Sequence, residues 1–113
     1  MFGWNVKPAA PSIQSTIIDS LNLVLNKADV AISNTNANTL ADFQNEVNTC
    51  NQAISQLTPT EQSKVSLFWT GGVMAQMNTL NMYNSIPSMK INIAKSILPV
   101  IKPHILNTIN ALS

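Results

Sequence analysis

Arginine is absent from this 113-residue chain, and cysteine occurs once, at Cys50. A single cysteine forms no internal disulfide and supplies no cysteine metal cluster. Charge of either sign is scarce. Six lysines and five acids make up 10% of the residues, against about a quarter in an ordinary globular domain. Lys7, Lys27, Lys64, Lys90, Lys95 and Lys102 are scattered, and the net charge is +1. Nucleic-acid binding by phosphate neutralisation needs clustered cations, so that class of partner is not expected.

Histidine also occurs once, at His104, with no carboxylate near it in sequence. Catalysis needs a nucleophile or base with an orienting partner, and zinc needs three or four ligands. Asp42 and Glu46 lie four apart on one helical face and read as a solvated helix surface. Cys50 falls on an apolar stripe and reads as a small core residue. Gly71-Gly72 lacks the following lysine of a phosphate-binding loop. We therefore expect no catalytic residue, no metal site and no cofactor, and hence a protein that is not an enzyme. There is no run of 18 uncharged apolar residues, so no spanning helix is expected. The start, Met1-Phe2-Gly3-Trp4-Asn5-Val6-Lys7, lacks the basic and apolar regions of a signal peptide.

Hydrophobic residues make up 45% of the chain, too many for intrinsic disorder. At this length folding buries roughly two-thirds of the unfolded surface, enough for one core. Asparagine occurs 15 times, which together with the scarce charge implies a neutral, polar surface. Either an AT-rich gene or a surface buried in an assembly would produce it, because each desolvated charge is costly.

Residues 1–11 carry Pro8 and Pro11 and read as an extended arm, followed by one helical domain over 12–113. Pro11 suits the first position of a helix. Ile17, Leu21, Val24, Ala28 and Ala31 follow at helical spacing, widened by Ile13, Ile18, Leu25 and Ile32, and predict a helix over Ser12–Ser33. Thr39 reads as the cap of a second helix, Leu40–Leu57, with Asp42 completing a capping box. Its stripe, Leu40, Phe43, Val47, Cys50, Ile54 and Leu57, is the most regular in the chain.

Thr58-Pro59-Thr60-Glu61 is the strongest local signal: threonine cap, proline at the first helical position, glutamate closing the box. The third helix then presents Val65, Phe68, Trp69, Val73, Met77 and Leu80. Gly71-Gly72 implies a kink or a close approach of another element. Met74, Met77, Met82 and Met89 read as core filling. The last segment, from Ser88, repeats Ala94, Leu98, Ile101, Ile105, Ile109 and Leu112, with Pro99 and Pro103 bending or splitting it. Four amphipathic segments with short connections predict an all-α antiparallel four-helix bundle.

Trp69-Thr70-Gly71 resembles the Trp-x-Gly turn of the WXG100 family, small helical-hairpin proteins exported by type VII secretion. The resemblance covers three residues and the approximate chain length, and it implies a turn between two long helices at the tryptophan. Here two capped helices precede that tryptophan. The family's export signal has an acidic residue four after its tyrosine, and Pro87 stands four after Tyr83.

Phe2 and Trp4 are the candidate partner-binding residues. On a proline-bearing arm they can fold back on the bundle, dock on a neighbouring subunit, or dip into a membrane interface. The functional expectation is a structural or assembly subunit, in a virion or another large complex, with itself or other protein subunits as partners. Two alternatives stand beside it. One is a small helical binding or immunity-type module. The other is a peripheral membrane protein using the C-terminal segment, with Lys95, Lys102 and His104 at the headgroups. No small-molecule substrate is expected.

Overall fold

The structure is a computed structural model that describes residues 12–113. Helix accounts for 83% of these residues, and no strand is present among them. Five helices appear where the pattern predicted four. They are α1 (Ile13–Ser33), α2 (Ala37–Ile54), α3 (Pro59–Val65), α4 (Ala75–Asn81) and α5 (Pro87–Leu112), with a π-helical turn, Trp69–Met74, between α3 and α4. No helix among the described residues is long and apolar enough to cross a membrane.

Helix α1 begins at Ile13, one residue after the expected start, with Ser12 as its cap. The Ser12 hydroxyl accepts from the Ser15 amide at 3.0 Å, occupying one of the free donors of the first turn. Ile17, Leu21, Val24, Ala28 and Ala31 are buried as their spacing implies. Ile13 and Ile32 lie in the end turns and are exposed, so the stripe is narrower than the sequence suggests. Helix α2 starts three residues earlier than Thr39 indicates. Asn36 is the cap, accepting from the Asn38 and Thr39 amides at 2.9 Å. Thr39 closes the box from inside, its hydroxyl accepting from the Asn36 amide at 3.1 Å. Both residues can cap, and the earlier one wins because the later one then satisfies it in return. The helix stops at Ile54, and Leu57 is buried from the turn beyond it.

The Thr58–Glu61 capping box forms as read, with Pro59 in the first turn. The third helix does not continue to Leu80, however. The Gly71 amide donates to the Ser66 carbonyl at 2.9 Å and the Val73 amide to the Phe68 carbonyl at 3.1 Å. These bonds reach back five residues and define a π-helical turn. Its cause is visible in the buried set. Val65, Trp69, Val73 and Met77 are four apart three times in succession. At 3.6 residues per turn each such step drifts by about 40°, so an unbroken α-helix would carry Met77 about 120° away from Val65. A wider turn takes in the surplus and keeps all four on the core.

Helix α5 is a single helix, not two, despite Pro99 and Pro103. Both prolines are exposed. The carbonyls they leave unpaired, on Lys95 and Pro99, are therefore on the solvent side, where water replaces the missing donor. Its first residue is Pro87, where a missing N–H costs nothing.

The core is one cluster drawn from every helix, with Trp69 and Phe43 its largest members at 0% exposure. The Gln14 side chain donates to the Leu112 carbonyl, and Lys102 pairs with Asp29 at 2.8 Å, so α1 and α5 run antiparallel. That ion pair is half-exposed and contributes at most about 1 kcal/mol. Gln62 donates to the Leu57 carbonyl at 2.9 Å, Trp69 to Asn51 and Gln44 to Asn81, so the third segment returns along α2.

Candidate functional site

The π-helical turn packs against α5, and its closest approach at a glycine is where Gly72 lies under the His104 ring. A Cβ at Gly72 would stand 2.6 Å from His104 Cγ, 2.8 Å from Nδ1 and 3.0 Å from Cβ. The approach is thus closer than any side chain at position 72 permits. Gly71 differs: a Cβ there meets only the Ser66 carbonyl oxygen, at 3.7 Å. The expectation of close packing holds for the second glycine and not the first. The partner is a side chain, not another backbone. Neither glycine has a positive φ, so conformation does not demand either one.

The His104 imidazole is partly buried, and its Nδ1 is fully enclosed with no hydrogen-bond partner among the described residues. One turn further on, the buried Thr108 satisfies its hydroxyl within the helix, donating to the His104 carbonyl at 2.8 Å. Trp69, the first residue of the π-helical turn, is wholly buried, yet its Nε1–H reaches Asn51 Oδ1 on the rim of α2 at 2.9 Å. That bond satisfies the one polar atom of the largest core side chain. Asn51→Ala should therefore cost about 1–3 kcal/mol by stranding a buried donor. Urea unfolding of the variant beside Asn48→Ala, an exposed neighbour, measures the difference; equal midpoints would disprove the role.

Cys50 is fully buried. Burial pushes its thiol up from 9.0 to about 11; the Ser20 hydroxyl opposes the rise and the Glu46 carboxylate adds to it. The folded state thus holds the proton that the unfolded chain releases above about pH 9. Stability should fall by about 1.4 kcal/mol per pH unit between 9 and 11 from this group, and not below pH 9. Unfolding at pH 8 and at pH 10.5 should show that extra loss in the natural chain and not in Cys50→Ala. A common slope in both proteins refutes it.

These groups do not form a reactive pair. His104 lies on α5 against Gly72 and Cys50 lies on α2, no hydrogen bond joins them, and no cluster of three metal-ligating side chains exists among the described residues. Asp42 is exposed and Glu46 half-buried on α2. Only Met77 of the named methionines is fully buried. Met74 is half-buried, and Met82 and Met89 are exposed at 77% and 44%, so core filling describes half of that set. Trp69 does not stand in a turn between two long helices, as the WXG100 resemblance implies, but inside a helical segment. Phe2 and Trp4 lie outside the described residues.

Two shallow depressions mark the surface. One of about 200 Å³ lies between the starts of α2 and α5, against Ala37, Leu40, Ala41, Pro87, Lys90 and Ile91. Lys90 at its edge is already engaged by Asn84, at 2.7 Å. The other, about 180 Å³ and almost wholly apolar, is formed by Ile13, Thr16, Ile17, Ala53 and Gln56. The most exposed large apolar side chains among the described residues are Met82, read from the sequence as core filling, and Leu67, which no sequence signal singled out, at 77% and 74%. They sit in the turns that flank the π-helical turn and α4, where helical periodicity carries no information.

Comparison with protein-family models, with curated proteins and with solved structures finds no match to this chain.

Proposed function

We propose that the chain is a non-enzymatic structural or assembly subunit of a larger complex, a virion being one setting, and that it acts through apolar side chains left on its helix faces and turns. The observation that carries this reading is the exposure of Leu67 and Met82 on a surface with few charges. Leu23, Val30 and Val100, each about half exposed, add to it. Single exposed apolar residues are normal on a monomer. A monomer, however, ordinarily surrounds them with charge, and near-zero net charge favours association. Covering Leu67 or Met82 in an interface would each contribute about 1.5–3 kcal/mol.

In the same reading, α3, the π-helical turn and α4 act as one rod. With α1, α2 and α5 that rod makes a four-membered antiparallel bundle. Phe2 and Trp4 on the N-terminal arm serve as anchors to a neighbour, since aromatic anchors dominate many interfaces. The outward positions of α5 include Asn92, Ser96, Asn107 and Asn110 beside Pro99 and Pro103. That mixture favours a protein partner over a lipid surface for this helix.

Light scattering tests the proposal on the 113-residue chain, on a form lacking residues 1–10, and on Leu67→Ser/Met82→Ser. Circular dichroism serves as the folding control. The expected result is self-association that weakens in both variants while helix content is kept. A chain that stays monomeric at high concentration and sediments with lipid vesicles would overturn it in favour of the peripheral-membrane reading.

A further inference from the structure

Building on the assembly reading, we propose that the apolar groove between the start of α1 and the end of α2 is the seat for Trp4 of a second copy of this chain, exchanged reciprocally. The groove is formed by Ile13, Thr16, Ile17, Ala53 and Gln56, and its volume is about 180 Å³. A cavity of about 150 Å³ holds one benzene ring, whereas small-molecule sites start at about 300 Å³. The groove therefore fits one aromatic side chain and not a cofactor-sized ligand. None of its five residues is charged among those described. Thr16 and Gln56 bring side-chain oxygens able to accept an indole N–H, which a buried tryptophan needs. Phe2 has no such donor, so Trp4 is the better match.

The spacing of the arm favours a second copy over the groove beside its own root. Lys7 and Ala10 each precede a proline, which disfavours helical backbone at both. Ser12 itself is extended, with φ −64° and ψ 155°. A straight run over residues 7–12 covers roughly 19 Å at about 3.1 Å per residue. The α1 wall of the groove, Ile13–Ile17, spans only about 6 Å along the helix. Whichever way the run points, its far end lies well beyond that wall. Trp4 lies further out still, and is thereby carried past its own groove and towards a neighbour's.

A two-fold pairing then uses the same patch twice, each arm on the other copy's groove. Two docked indoles bury about 300–500 Å² of their own surface, short of the roughly 1,200 Å² of a stable interface. The remaining contact is at hand on α1. Thr16, Leu23 and Val30 are spaced by seven and share one flank of the helix. Leu23 and Val30 are each about half exposed, and Thr16 belongs to the groove wall. The apolar line thus starts at the groove and runs along α1.

The test is complementation, read by sedimentation velocity. One variant lacks residues 1–10 and keeps the groove. The other, Ala53→Lys, keeps the arm and places a charge in the groove. Circular dichroism checks that both fold, and Gln56→Lys, at an exposed position, replaces Ala53→Lys should that one unfold. Each variant alone is expected to associate at least about tenfold more weakly than the natural chain. An equimolar mixture should recover part of that loss, because an intact arm then meets an open groove. A groove variant that associates as tightly as the natural chain overturns the seat and leaves the assembly reading standing. Weakening in both variants with no recovery on mixing overturns the exchange and assigns the arm to its own groove. A natural chain that stays monomeric at high concentration overturns both.

Discussion

Phe43→Ala is expected to lower the unfolding free energy by about 3–5 kcal/mol, the range for emptying a fully enclosed aromatic position. Phe43 is 0% exposed in the middle of α2 and belongs to the single core cluster. The helices are regular on both sides, so the site has little freedom to collapse into the cavity. Val47→Ala, one turn on and equally buried, removes less volume and costs less. Lys27→Ala on the flank of α1 should change stability by less than about 0.5 kcal/mol. Denaturant titration of the three variants ranks them directly. Should the lysine change be the largest, the inward faces of α1 and α2 are assigned wrongly.

Gly72→Ala is expected to destabilise by about 1–3 kcal/mol, the cost of overpacking a filled site. The gain of up to about 1 kcal/mol that alanine brings to a helix interior does not offset it. The obstructing atoms are His104 Cγ, Nδ1 and Cβ. They lie at the base of a side chain fixed to a 26-residue helix and cannot swing aside. Gly71→Ala should do the opposite and stabilise by up to about 1 kcal/mol, because its Cβ makes only an ordinary contact with the Ser66 carbonyl oxygen, at 3.7 Å, and its φ is not positive. The pair tests the geometry directly, since the two positions are adjacent in the same turn and only Gly72 is buried. Thermal unfolding of both variants decides it. A stabilised Gly72→Ala protein would mean that His104 does not sit where the structure places it.

Parts of this arrangement were legible in advance. The Thr58–Glu61 box could be read because a cap depends on four consecutive residues. The cap of α2 could be misread for the same reason: Asn36 and Thr39 each satisfy the local rule, and only their reciprocal bonds choose between them. The π-helical turn left a trace in three successive spacings of four from Val65 to Met77. That trace has meaning only once these residues are known to share a core. Of the candidate site, Gly71-Gly72 stood out in the sequence, and His104 stood out as the lone histidine. Nothing connected them, because 32 positions separate Gly72 from His104 along the chain.

By itself the sequence determined the helical class, the positions of the apolar stripes, the proline start of α3, and the poverty of charge. These follow from neighbours within one or two helical turns, where bonding and side-chain spacing act directly. The tertiary structure alone decided which glycine is indispensable, that the prolines of α5 face water and leave it whole, that the imidazole loses one partner, and that Leu67 and Met82 stay uncovered. Each of these depends on what a distant segment brings against the position, and packing between helices, not the order of residues within one, sets that distance.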